Sequence, residues 1–175
     1  MADPIHEFGS LLSVDAEAIG QPGQRRFRLL LLSSYGTAGV WMEKEQLAGI
    51  GTWLGDTVTQ LDNQRPTGEP DVEPLPFPED LDLELRAGQL ALGYVEDRDV
   101  FALQVFDLQP DEAPEDPKPL LRCFLSRGQA RVLSRKIAEV VAAGRKPCPM
   151  CGLPMDPDGH MCPRSNGHRP VRLTP

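Results

Sequence analysis

The first half of the chain changes from the hydrophobic spacing of strands to that of a helix. Residues 25–33 are mostly apolar after a basic start, a Ser-Tyr-Gly-Thr turn follows, and residues 38–42 return, which predicts a β-hairpin. Over about 43–61 the apolar residues instead fall three and four positions apart, so that they share one helix face: Leu47, Ile50, Leu54, Val58 and Leu61. This half is therefore predicted to be a hairpin followed by one amphipathic helix.

The second half repeats this order with more strands. Three segments, QLALGYV, VFALQVFDL and LLRCFL, are typical of strands, and DLDLEL before them alternates strictly between polar and apolar residues. A helix is predicted over about 127–143, because Ser126 and Gln129 have the spacing of a capping box. The residues after this cap form a single apolar stripe: Ala130, Leu133, Ile137, Val140 and Val141.

The two halves resemble each other in sequence as well as in order. AIGQPGQRRF at 18–27 parallels ALGYVEDRDVF at 91–101, and Gln46 in the first helix matches Gln129 in the second. A chance similarity and an internal duplication both remain open, and we favour duplication. It would explain why each helix has a single apolar stripe, since each would cover part of a shared sheet.

The predicted architecture is α+β with a mainly antiparallel sheet and two similar β-rich halves that each end in a helix. The halves cover about 1–65 and 81–144 of one duplicated domain, 1–144. Between them, residues 66–80 contain five prolines and no basic residue, which predicts an extended acidic linker. Residues 145–175 are predicted to form a separate zinc-ribbon-like tail.

Charge and hydropathy narrow the classes of function. A net charge of −8 makes general binding to nucleic-acid phosphates unfavourable, although it allows a local basic patch. No apolar run approaches the ~18–20 residues of a membrane helix, so no membrane association is expected. The first residues, MADPIHEFGS, lack the basic and then apolar layout of a signal peptide. We therefore expect a cytoplasmic protein whose thiols stay reduced.

The tail contains a cluster of metal-ligating residues with the spacing Cys148-x2-Cys151-x8-His160-x-Cys162. Four soft or borderline ligands within such a short segment suit tetrahedral Zn²⁺. A segment with almost no core of its own would depend on the ion to fold. Because four protein ligands leave no open coordination position for water, we expect a structural rather than a hydrolytic site.

Other interpretations of the cysteines remain open. Cys148 and Cys151 could be a redox pair, but such a pair normally opens a helix, whereas Gly152 and Pro154 disfavour one here. A disulfide loop would suit a secreted protein, and plain reduced thiols without a metal are also possible. Within the zinc interpretation, His168 could replace His160 as the fourth ligand, and we favour His160.

Arginine residues provide a second candidate site. Arg26 and Arg28 alternate with Phe27, so both guanidinium groups are predicted to share one face of a strand. This face could simply be solvated, or it could bind an anion, since arginine matches the geometry of phosphate and carboxylate. The tail is also locally rich in arginine, which leaves nucleic-acid or ribonucleoprotein binding as a further possibility.

Three segments together resemble a known bacterial family. GQPGQRRF near the start, MEKEQ at the first helix and CGLPMDPDGHMCPRSNGHRP at the end are similar to domain-of-unknown-function family 3090, found mainly in actinobacteria. The resemblance implies that Cys148, Cys151, His160 and Cys162 form the shared motif. It also favours His160, because position 168 varies in the family. It implies no reaction.

The function expected from the sequence is therefore non-enzymatic. We expect a cytoplasmic zinc-binding adaptor, with a structural Zn²⁺ and another protein as its partner. Two alternatives are kept: nucleic-acid binding through the arginine-rich tail, and an accessory protein or enzyme that acts on an anionic metabolite held by Arg26 and Arg28. The sequence leaves the oligomeric state open.

Overall fold

The computed structural model describes residues 3–21, 24–107, 117–143, 146–152, 154–155 and 162–164. The predicted ligand His160 and its alternative His168 lie outside these residues. The chain divides into two compact units, Met1–Val141 and Ala142–Pro175.

The described residues of the first unit form eight strands and two α-helices. Its first half comprises β1 (His6–Ser10), β2 (Ser13–Ile19), β3 (Arg26–Ser33), β4 (Gly36–Met42) and α1 (Lys44–Gln64). Its second half comprises β5 (Leu83–Arg86), β6 (Gln89–Val95), a short 3-10 helix (Glu96–Arg98), β7 (Val100–Phe106), β8 (Leu121–Leu125) and α2 (Arg127–Ala142). No helix among the described residues is long and apolar enough to span a membrane.

The strands form two four-stranded sheets with the same topology. One has the order β2-β3-β4-β5 and the other β6-β7-β8-β1, and in each the first three strands are antiparallel while the fourth is parallel to its neighbour. The fourth strand comes from the other half of the chain in both sheets. The prediction of an α+β fold with two similar, mainly antiparallel halves is confirmed. The expectation of one shared sheet was wrong: there are two sheets, and the exchange of β1 and β5 links the halves.

The junction after each exchanged strand is held by matching hydrogen bonds. The Ala87 backbone N–H donates to the Trp41 carbonyl at 2.8 Å, and the Leu11 N–H donates to the Phe124 carbonyl at 2.9 Å. These bonds occupy corresponding positions, since Trp41 and Phe124 are the residues before the last residue of β4 and β8. The two junctions therefore share the same backbone hydrogen bond.

The two helices begin with the same cap. In α2 the Ser126 backbone N–H donates to Gln129 Oε1 at 3.0 Å, as the capping-box spacing predicted. In α1 the Glu43 N–H donates to Gln46 Oε1 at 2.9 Å. Each glutamine also donates its amide Nε2 to a backbone carbonyl at a strand junction, which ties both helix starts to the exchanged strands.

The core lies beneath the apolar stripes of the helices. All five stripe residues predicted for α1 are buried, together with the alternate residues of β7 and β8. The helices approach each other closely at Gly51, where an added Cβ would lie 2.6 Å from Ile137 Cγ2. A glycine would weaken α1 as an isolated helix. At position 51, however, the close packing against α2 leaves no room for a side chain.

Residues 66–78 of the proline-rich segment contain neither helix nor strand. The segment does not simply cross solvent, however. The Leu75 backbone N–H donates to Ser13 Oγ at 2.8 Å, and Asp71 forms ion pairs with Arg131 at 2.7 Å and Arg135 at 2.5 Å. These contacts attach the acidic linker to the folded unit.

Candidate metal centre and arginine clusters

Three cysteines of the second unit converge. The Sγ atoms of Cys148, Cys151 and Cys162 all lie within 4.8 Å of one another, and the Cys148–Cys162 pair is separated by 3.8 Å. Tetrahedral zinc with Zn–S bonds of ~2.3 Å requires sulfurs about 3.8 Å apart. The three thiols could therefore hold a metal ion, and their soft donor set and spacing fit zinc.

Local backbone geometry explains why the first two sulfurs face the same point. The chain turns after Cys148, and the Gly152 N–H donates to the Cys148 carbonyl at 2.8 Å. Gly152 has φ 73°, a left-handed conformation that glycine adopts without a Cβ clash. On either side of this turn, β9 (Lys146–Pro147) and β10 (Pro154–Met155) pair in antiparallel register.

The same turn favours the thiolate of Cys148. The backbone N–H groups of Cys151 and then Met150 donate toward its sulfur and hold the pKa of the Cys148 thiol below its usual value. Since thiolates are the metal-binding form of cysteine, the backbone prepares this residue for ligation. Cys148 is itself buried, while Cys151 and Cys162 are half-buried.

The geometry argues against two alternative roles for these cysteines. The Cys148–Cys162 sulfur separation of 3.8 Å is well beyond a disulfide bond of ~2.05 Å, and none of the three described tail cysteines forms a disulfide. The Cys148–Cys151 segment leads into a turn and then β10, whereas a thioredoxin-like pair opens a helix. The predicted fourth ligand, His160, lies outside the described residues and stays a prediction.

The predicted arginine pair is found on one strand face, as its alternation indicated. The guanidinium carbons of Arg26 and Arg28 lie 4.4 Å and 4.9 Å from the centroid of the Trp41 ring. Arg28 is also paired with two carboxylates, Glu17 at 2.5 Å and Glu84 at 2.8 Å. Its charge is thus balanced by the protein itself, and Arg28 holds Trp41 in place.

A cavity of about 300 Å³ lies beside Arg26. It is lined by Arg25, Arg26, Trp41, Met42, Glu43 and Arg86. The Nε atom of Arg25 is buried without a hydrogen-bond partner, a situation that costs ~1–3 kcal/mol when no ligand relieves it. The alternation of β3 did not single out Arg25, which precedes the strand. Arg86 was missed because it reaches this site only through the parallel pairing of β5 with β4, opposite Trp41.

The largest buried polar side chain was also missed. Arg127, at the start of α2, is only 1% exposed. It donates to Asp99 Oδ1 at 2.7 Å, the Arg65 carbonyl at 2.8 Å and, at 3.3 Å, both Asp62 Oδ1 and the Tyr94 hydroxyl. Burial would lower the pKa of Arg127, but the bonds from Asp99, Tyr94 and Asp62 raise it above its usual value. This cluster joins α2 to three other segments.

The basic residues of the tail are mostly outside the described residues. Arg164 is described and exposed, and it donates to the Met150 carbonyl at 3.3 Å. That contact places one guanidinium against the cysteine turn. The remaining candidates for a nucleic-acid surface, Arg145, Arg169 and Arg172, are among the residues that the structure does not describe.

Comparison with known proteins identifies one match. A family model described as a protein of unknown function (DUF3090) matches residues 6–162, which include both sheets, both helices and the three converging cysteines. No curated protein and no solved structure was found to match the chain.

Proposed function

The chain belongs to the DUF3090 family of proteins of unknown function, and from that premise we propose that it is a non-enzymatic adaptor whose tail is folded by a structural zinc ion. The observation that carries this proposal is the 3.8 Å separation of the Cys148 and Cys162 sulfurs. His160 completes the ligand set. Four protein ligands leave no coordination position for a reacting water, so the metal supports structure rather than hydrolysis.

The tail is suited to recognition because its backbone is organised around a metal rather than around a core. The described part of the second unit contains two strands of two residues each, β9 and β10. Such a segment gains its folding free energy from metal binding. The exposed residues around the cysteine turn, among them Met150 at 53% exposure, then form the surface that contacts a partner protein.

Metal analysis of the purified chain tests the zinc site. We expect one zinc per chain, and we expect Cys148→Ser to lose it while Cys123→Ser keeps it. Cys123 is the matched control because it is fully buried in β8, far in sequence from the cluster. A metal-free wild-type protein with an ordered tail, or an iron content in place of zinc, would refute the assignment.

Thiol labelling provides a second readout of the same site. Burial raises the pKa of the Cys123 thiol, so it should stay unmodified in the folded protein. The three tail thiols should be protected in the metal-bound form and should react after treatment with a chelator. Comparing His160→Ala with His168→Ala then identifies the fourth ligand, since only the ligand's loss should weaken zinc retention.

The adaptor role is tested by affinity purification from the native host. A protein partner should be recovered with the wild type and lost with Cys148→Ser, and the purified partner should bind the wild-type chain directly. Recovery of RNA instead, with binding that weakens steeply as salt rises, would favour the nucleic-acid alternative over the adaptor. Turnover of a substrate by the purified chain would contradict a non-enzymatic role.

A further inference from the structure

We propose that the cavity between β3, β4 and β5 binds a small phosphate monoester, with Arg25, Arg26 and Arg86 on the phosphate and Trp41 beside its organic part. All six residues that line the site belong to the first unit, and none of them is a predicted metal ligand. Loss of zinc would therefore leave it intact.

The charge of the cavity favours an anion. Three of its six lining residues are arginines and one, Glu43, is acidic. Glu43 neutralises Arg86 weakly, since their closest approach is 3.7 Å and both side chains are about three-quarters exposed. Among the described residues, Arg25 and Arg26 have no carboxylate partner in any ion pair. Two guanidinium groups are thus available to a ligand.

An acidic residue of the second half is replaced by an arginine at the corresponding position of the first half. Phe27 pairs with Met42 in the first sheet, and Phe101 pairs with Leu125 in the second, so these pairs are counterparts. The residue two positions before Phe101 is Asp99, and the residue two positions before Phe27 is Arg25.

The two halves therefore carry opposite charges at this position, Asp99 in the second half and Arg25 in the first. In the second half, the Asp99 carboxylate accepts from Arg127 at 2.7 Å, so the protein supplies its own anion. In the first half, Lys44 is the counterpart of Arg127, and Arg25 stands where the anion would be. The first half therefore has a basic residue at both positions, Lys44 and Arg25, and the Arg25 Nε is buried without an acceptor. An acceptor from outside the chain completes the arrangement.

The chemistry of the lining selects the class of anion. Guanidinium groups bind phosphate through paired, charge-assisted hydrogen bonds. The Trp41 ring is held in position because its Nε1–H donates to Glu84, and Trp41 and Met42 supply the apolar part of the cavity lining. A volume of about 300 Å³ accommodates a phosphate with a small ring or chain attached.

A nuclear magnetic resonance titration with phenyl phosphate tests the site without altering the protein. The chain has two tryptophans, each with its own indole N–H signal. We expect the Trp41 indole signal to move with saturation, whereas Trp53, packed edge-on against Phe101 with centroids 5.9 Å apart, should not move. Benzoate, with a carboxylate in place of the phosphate, should bind at least about tenfold more weakly, as expected for the loss of one charge-assisted hydrogen bond.

Matched variants locate the binding. Arg25→Gln and Arg26→Gln should each weaken phenyl phosphate about tenfold or more, from the loss of a charged hydrogen bond. Arg98→Gln should leave affinity within about twofold, although it removes the same charge from an arginine stacked 4.3 Å from the counterpart ring, Phe124. No movement of the Trp41 signal at saturating phenyl phosphate, equal affinity for benzoate, or equal weakening by Arg98→Gln would each overturn the proposal.

Discussion

Replacing the buried Arg127 by methionine should cost more stability than any other single change of charge in the first unit. Methionine keeps most of the unbranched stem and removes the guanidinium, which is 1% exposed. The perturbation therefore isolates the polar cluster around the start of α2 from the packing of the side chain.

The size of the stability loss follows from the acceptors that no longer have the Arg127 guanidinium as a partner. Removing one member of a buried ion pair costs ~3–5 kcal/mol, but here Asp99 and Asp62 keep 38% and 33% of their side-chain surface exposed. Water can therefore rehydrate both carboxylates after the substitution. The Arg65 carbonyl loses a well-formed bond of 2.8 Å. We expect a loss of ~2–3 kcal/mol in the free energy of unfolding.

Urea unfolding followed by tryptophan fluorescence measures this loss, since both tryptophans, Trp41 and Trp53, lie in the first unit. With a slope of ~1–3 kcal/mol per molar urea, a loss of ~2–3 kcal/mol should lower the midpoint by about 0.7–3 M. Arg131→Met is the matched control, because Arg131 shares Asp62 with Arg127 but is 19% exposed. Its loss should cost ~1 kcal/mol or less.

A double-mutant cycle decides whether the cost comes from the stranded carboxylate. Asp99 has a left-handed φ of 53°, which asparagine also adopts readily. Adding Asp99→Asn to Arg127→Met should therefore cost less than the sum of the two single changes. Additive costs, or an equal loss for Arg127→Met and Arg131→Met, would refute the account of a buried, coupled charge cluster.

Two further predictions concern helix packing and pH. Gly51→Ala should destabilise the protein by ~1–3 kcal/mol because the new Cβ would lie 2.6 Å from Ile137 Cγ2. Gly49→Ala, whose new Cβ meets nothing within 4 Å, should instead stabilise α1 by up to ~1 kcal/mol. Thermal melts that rank the two variants in the opposite order would contradict this packing. Hydrogen bonds from the backbone N–H and then the hydroxyl of Thr37 lower the pKa of Asp82 in the folded state. The ionised carboxylate therefore stabilises the fold at pH values above its unfolded pKa of ~3.9. This stabilisation is lost as the pH falls through the lowered, folded-state pKa. Wild-type protein should therefore lose more stability than Asp82→Asn between about pH 5 and pH 2, and parallel pH profiles would show that the Thr37 contact has no such effect.

Local patterns in the sequence determined most elements of the fold. The helix stripes, the capping glutamines and six of the eight strands of the first unit depend on residues close in sequence, so the periodicity of the chain reveals them. The three converging cysteines belong to this class too, because a short loop keeps ligands near each other whatever the rest of the protein does. The bounds were less accurate, since α1 continues to Gln64 rather than about 61.

The tertiary structure decided the features that join distant segments. Strand β1 was missed because its sequence, HEFGS, has little apolar periodicity and contains Gly9 at φ 61°. It is a strand because it pairs with β8, where His6 faces Leu121. The burial of Arg127 and the cavity beside Trp41 arise in the same way, from groups contributed by separate strands and loops. A strand edge or a charge is stabilised by whichever partner folding brings to it, and that partner is not encoded in the neighbouring residues.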